Sequence, residues 1–219
     1  PQKYGEQVNV LTVLSYHKLQ DVNKLKEALE TLQKENPSAV ARVPDVIPAW
    51  LGLQAYGMKD LETADKYMTW ATQNDQLQNV KKVIWRNLAK VRLALKKYDR
   101  ALVASNNFLK DEDQPYRRAD GMLDKASILL GLGKYADARK TAEEALALGV
   151  EGPLMASLKI VLGDISYAEK KFDEAAKHYG VTAELFVNDA ELKPKALFKA
   201  AEALDKAGSA EGGVSDDDL

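Results

Sequence analysis

Apolar positions along this chain fall in the rhythm of amphipathic helices. Across Trp85–Leu95, the residues Trp85, Leu88, Ala89, Val91 and Leu95 occupy neighbouring helical rows. From Tyr135 onward the same rows hold Tyr135, Ala138, Ala142, Ala145 and Leu146. No stretch sustains a two-residue alternation, so no strand is predicted. Breakers divide the helices at Glu35–Pro37, Asp111–Pro115, Leu130–Lys134 and Gly149–Pro153. Pro48, Pro115, Pro153 and Pro194 stand near helix starts, where a missing amide hydrogen costs least.

The helices repeat. "KKYDRALVA" at Lys96–Ala104 returns as "GKYADARKT" at Gly133–Thr141 and "KKFDEAAKH" at Lys170–His178, with a weaker copy, "KDLETADKY", at Lys59–Tyr67. Three registers keep a step of 37 residues. One is alanine, at 64, 101, 138 and 175; a second is small, as Gly52, Ala89, Ala126 and Gly163; the third is bulky, as Leu61, Tyr98, Tyr135 and Phe172. A period within roughly 20–50 residues marks a repeat architecture. Each unit reads as two helices in a tight hairpin, which can close only where facing positions lack bulk. The expected facing pairs are Gly52/Ala64, Ala89/Ala101, Ala126/Ala138 and Gly163/Ala175. The bulky residue three before each alanine is expected to cap the bend and pack inward.

These units resemble tetratricopeptide repeats, whose pattern includes W-x₂-L-G-x₂-Y followed by A-x₃-F. "WRNLA" at Trp85–Ala89 carries the tryptophan, leucine and small residue; Leu51/Gly52 and Leu162/Gly163 carry the leucine and glycine. Phe172, Ala175 and Tyr179 match the bulky residue, alanine and aromatic. The step of 37 exceeds the family's usual ~34. Lys125 replaces an expected leucine, and Ser105 and Ala142 stand where an aromatic belongs. The resemblance implies an all-α, right-handed superhelix of five hairpins and a C-terminal capping helix, eleven helices in all. A divergent first unit places Leu25, Leu29 and Leu32 in its core. In the final helix, Lys195, Lys199, Glu202 and Lys206 form the polar stripe that a cap needs. One repeat domain is expected over 1–208, followed by an acidic, glycine-containing tail over 209–219. That tail is expected to be disordered alone, although Asp216–Leu219 would suit a basic surface as a guest.

Composition narrows the function more than it names it. Lysine and arginine number 31 against 33 acids, so no basic field favours nucleic acid or a membrane surface. There is no cysteine, which removes disulfides and thiolate chemistry and fits any compartment. No apolar run approaches the roughly 20 residues of a membrane span. The chain begins with proline rather than methionine, so a trimmed leader is expected, favouring the bacterial periplasm over the cytoplasm.

Catalytic patterns are absent. His17 and His178 lie on different units without ligand spacing, so neither predicts a metal site. "GLGK" at Gly131–Lys134 lacks the frame of a phosphate loop and follows a helix. No cofactor is expected. By the resemblance, first helices line a concave wall that holds a peptide or a partner's helix. The wall positions are Leu14, His17, Trp50, Leu53, Tyr56, Arg86, Asn87, Lys90, Asp124, Ser127, Asp164 and Tyr167. Solvent-facing or inter-unit packing roles are the alternative for each. Read in order, the wall is apolar and aromatic, then cationic, then acidic. Chaperone-binding members of the family grip a terminal carboxylate with lysines and asparagines, but Val10 and Leu14 occupy those places here, which argues against that ligand. The leading expectation is a non-enzymatic protein-binding scaffold. A homo-oligomer built through terminal helices is the structural alternative, and an enzyme with its site around Asp124, Asp164 and Arg86 is the weakest.

Overall fold

The computed structural model describes residues 2–73, 78–186 and 189–211. The expected contacts of Asp216–Leu219 lie outside these residues. Eleven α-helices run through the described chain: α1 (Gln2–Lys18), α2 (Val22–Glu35), α3 (Val46–Gly57), α4 (Leu61–Thr72), α5 (Gln78–Ala94), α6 (Tyr98–Leu109), α7 (Pro115–Gly131), α8 (Tyr135–Leu146), α9 (Gly152–Ala168), α10 (Phe172–Leu185) and α11 (Leu192–Glu211). A 3₁₀ segment at Pro37–Arg42, unannounced by the repeat, joins α2 to α3. No strand occurs among the described residues. The chain forms two compact units, Pro1–Phe108 and Leu109–Leu219. In the first, α1 packs on α2, α3 on α4, and α4 on α5; in the second, α7 packs on α8, α8 on α9, α9 on α10, and α10 on α11.

The hairpin bends explain the repeated string. Lys59, Lys96, Gly133 and Lys170, one repeat step apart, all take positive φ between 56° and 71°. The next amide hydrogen then folds back onto the preceding helix: Lys97 N–H reaches Arg92 O at 2.8 Å and Lys134 N–H reaches Leu129 O at 2.9 Å. Such left-handed closure satisfies orphan carbonyls at a helix end. Asp60 adds a side-chain cap, its Oδ1 accepting from Thr63 N–H at 3.2 Å. The repeated alanines at 64, 101, 138 and 175 are wholly buried, as are Leu25, Leu29 and Leu32 of the divergent unit. The bulky series Leu61, Tyr98, Tyr135 and Phe172 is only half-buried, since the bend leaves one side of each side chain open.

The small positions meet a different neighbour from the expected one. A Cβ on Gly52 would lie 2.7 Å from Met68 Cγ and 2.9 Å from the Met68 backbone nitrogen. On Gly163 it would lie 2.7 Å from Tyr179 Cδ1. Met68 and Tyr179 sit one helical turn beyond Ala64 and Ala175, so the closest approach is one turn deeper in the hairpin. This accounts for Ser105 and Ala142. Where the deeper residue is large (Met68, Tyr179), the facing residue is glycine; where it is small (Ser105, Ala142), the equivalent residue is alanine (Ala89, Ala126). Volume is conserved across the pair.

Neighbouring repeats are joined by charge. Asp65 on α4 is buried and accepts from Arg92 Nε at 2.8 Å and Lys97 Nζ at 3.0 Å. Arg92 also donates to Thr69 Oγ1 at 2.7 Å and to Arg100 O at 3.2 Å. Burial raises the Asp65 carboxyl, but the hydrogen bonds from Arg92 and Lys97 outweigh it and hold the group below its usual value. Two repeat steps later the same place holds Arg139, with reversed polarity. Its guanidinium donates to Glu169 Oε2 and Glu174 Oε1, both at 2.7 Å, and to Ser166 Oγ at 3.2 Å.

Candidate functional site

Side chains on the first helices of the first unit make the candidate surface. His17 of α1 meets Trp50 of α3 edge to face, with ring centroids 5.4 Å apart. Edge-to-face geometry sets the positive rim of one ring against the negative face of the other. Trp50 is half-buried and packs on the core formed by Val13, Leu25, Leu29 and Leu51, so it serves both fold and surface. Leu14 is 36% exposed beside them. Leu53 and Tyr56, at one and two turns along α3, are half-buried.

The cationic stretch on α5 is drawn partly inward. The Arg86 guanidinium lies over the Phe108 ring at 5.9 Å, and Asn87 Nδ2 donates to Val83 O of its own helix at 2.9 Å. Lys90 is half-buried. In the second unit the wall residues are engaged by their own fold. Asp164 Oδ1 accepts from Tyr179 Oη at 2.7 Å and from Lys199 Nζ at 2.6 Å. Tyr167 donates to Glu202 Oε1 at 3.3 Å and meets the Phe172 ring at 5.2 Å. Ser127 Oγ donates to Leu123 O at 3.0 Å, and Asp124 is half-buried. Thus Asp164 and Tyr167 hold α11 in place. The structure brings His17 and Trp50 together; it gives Asp164 and Tyr167 a packing role.

Two features escape the sequence pattern. The charge joints at Asp65 and Arg139 show there only as one repeat place carrying Asp, Leu, Arg and Ala in turn at 65, 102, 139 and 176. An apolar side of α11, bearing Leu197, Phe198 and Leu204 at 50%, 72% and 58% exposure, is masked by that helix's polar stripe. His178 is half-buried 3.7 Å from Glu174, and burial lowers its pKa. Among the described residues no three His, Cys, Asp or Glu side chains stand together as a metal site, and no helix is long and apolar enough to cross a membrane.

Known proteins place the fold. The tetratricopeptide-repeat family profile matches residues 123–183. No curated protein matches the chain. Among solved structures, apo RapI aligns with TM-score 0.62 at 17% identity over 95% of this chain, which spans 62% of RapI. A thermophilic TPR protein of Thermus thermophilus aligns with TM-score 0.56 at 18% identity, covering 91% of this chain and 98% of that one. A tetratricopeptide-repeat protein from Parabacteroides merdae gives 0.60 at 15% identity, over 96% and 80% of the two chains. The profile match, the repeated small positions and this shared fold agree on a tetratricopeptide-repeat architecture, with the family's own repeat matched at residues 123–183.

Proposed function

We propose that the protein is a non-enzymatic scaffold that binds a peptide or a partner's helix on the first-helix face of its first unit. The observation that carries this is the His17–Trp50 pair. It forms an aromatic platform spanning two consecutive first helices, with Leu14, Leu53 and Tyr56 extending the apolar strip along both. Aromatic anchors ringed by polar groups are the usual energetic centres of protein recognition. Tetratricopeptide folds generally serve protein–protein interaction, and one structural neighbour is the quorum sensor NprR of B. thuringiensis. The neighbouring Arg86 and Lys90 would favour a ligand with an acidic flank beside its apolar anchor.

A displayed random-peptide library panned on the whole chain tests the reading. Enriched peptides should share an aromatic or aliphatic anchor with nearby acids. His17→Ala with Tyr56→Ala should weaken their binding by about tenfold or more and leave helicity intact. Peptides that bind the double variant as tightly as the parent would overturn the site.

A further inference from the structure

Arg139 of α8 ties together the two helices of the following hairpin, donating to Glu169 Oε2 after α9 and to Glu174 Oε1 on α10, each at 2.7 Å. Glu174 has a second neighbour. His178, one turn further along the same helical row, brings its Nε2 to 3.7 Å from Oε1, the oxygen that Arg139 already holds. One carboxylate oxygen thus stands between a fixed guanidinium and an imidazole whose charge follows pH. Tyr67, Ala104 and Thr141 fill the equivalent place in the other repeats, so this arrangement belongs to one joint alone.

The surroundings of the ring settle what charging it would do. Burial opposes protonation most strongly; Glu174 favours it, while Arg139 and Lys159 of α9 oppose it, and the pKa lies below the ordinary 6.5. α11 meets α10 through apolar side chains, Ala200 and Ala203 clustering with Ala176 and Tyr179. Its Lys199 and Glu202 are held by Asp164 and Tyr167 of α9. Glu169 is shared between Arg139 and Lys171. A proton on His178 therefore adds a cation to a site where the nearest acid is already engaged.

We propose that His178 makes this joint responsive to mild acid: the charged imidazolium draws Glu174 away from Arg139, and α10 opens locally from α8. Arg139 keeps Glu169 and Ser166 after the exchange, so the joint weakens rather than breaks. The direction follows from where each state takes up the proton. The unfolded segment does so near the ordinary 6.5, and the folded one only below it. The stability at stake is complete above that value and is lost as pH falls from it toward the lower, folded value. Local openings of single elements lie below the free energy of global unfolding, so the response should appear in α10 before the whole chain unfolds.

Amide hydrogen exchange of the whole chain at about pH 7.5 and about pH 5.5, with intrinsic rates divided out, provides the test. Protection along α10 should fall about threefold or more in the parent and stay level in His178→Gln, which keeps a polar side chain but cannot be charged. The histidine ring signals give a second readout, since the chain has only His17 and His178. Arg139→Gln should raise the titration midpoint of His178, and Glu174→Gln should lower it. Should Arg139→Gln fail to fold, Glu174→Gln carries the comparison by itself. Equal loss of protection in His178→Gln overturns the proposal, as does a parent protected equally at both pH values. Protection that rises in acid would mean that the imidazolium strengthens the joint, and overturns it too. Midpoints indifferent to these substitutions would refute the sharing of Glu174 between His178 and Arg139.

Discussion

At the residue scale, stability turns on how closely two helices of a hairpin approach. Gly52 faces both the side chain and the backbone of Met68, at 2.7 and 2.9 Å from an added Cβ. Backbone cannot swing aside as a side-chain tip can. Gly52→Ala should therefore destabilise by about 1–3 kcal/mol through overpacking, despite alanine's better helix propensity. Ala89→Gly, at the equivalent place beside Ser105, opens space rather than closing it and should cost only about 1 kcal/mol. Chemical denaturation of both variants checks the contrast; equal effects would contradict the volume argument. The repeat register shows which positions are equivalent. It cannot show which turn of the second helix lies opposite, because residues three and four apart share a helical row. The clue lies in Ser105 and Ala142, which look like departures from a pattern when each is read alone. Beside Ala89 and Ala126, they are its other half.

At the scale of elements, charge joins neighbouring hairpins, and at Asp65 that charge is buried. Asp65 and Arg92 are 6% and 7% exposed, so removing one leaves the other desolvated without its counter-ion. Asp65→Asn should cost about 3 kcal/mol. The pH dependence has a definite sign. Asp65 is held below its ordinary 3.8, so its contribution is fully present above that value and is lost as pH falls through the lower, folded value. The stability of the parent should thus decline in acid with a slope that Asp65→Asn lacks, and denaturant titrations at a series of pH values would reveal it. A parallel slope in the variant would show that other carboxylates dominate. Helix existence and order are legible because a 37-residue period reinforces every hydrophobic row. The joints are not. Charged side chains on a helix read as a solvated face unless the packing of the next repeat is known, and the polarity reversal from Asp65 to Arg139 conceals that both occupy the same place.

At the scale of the whole molecule, the proposed peptide surface belongs to the unit Pro1–Phe108. Part of that surface is readable in advance. Apolar character at repeat-equivalent places nominates Leu14, His17, Trp50, Leu53 and Tyr56, whereas Asp164 and Tyr167, nominated by the same register, bind α11 instead. Position in the repeat identifies a face of a helix; it does not reveal whether the next helix already covers that face. Asp164→Ala removes the acceptor that Tyr179 and Lys199 share, so it should speed amide hydrogen exchange along α11 severalfold and leave the affinity of a selected peptide unchanged. A loss of peptide affinity with unaltered exchange in α11 would instead assign Asp164 to the binding surface.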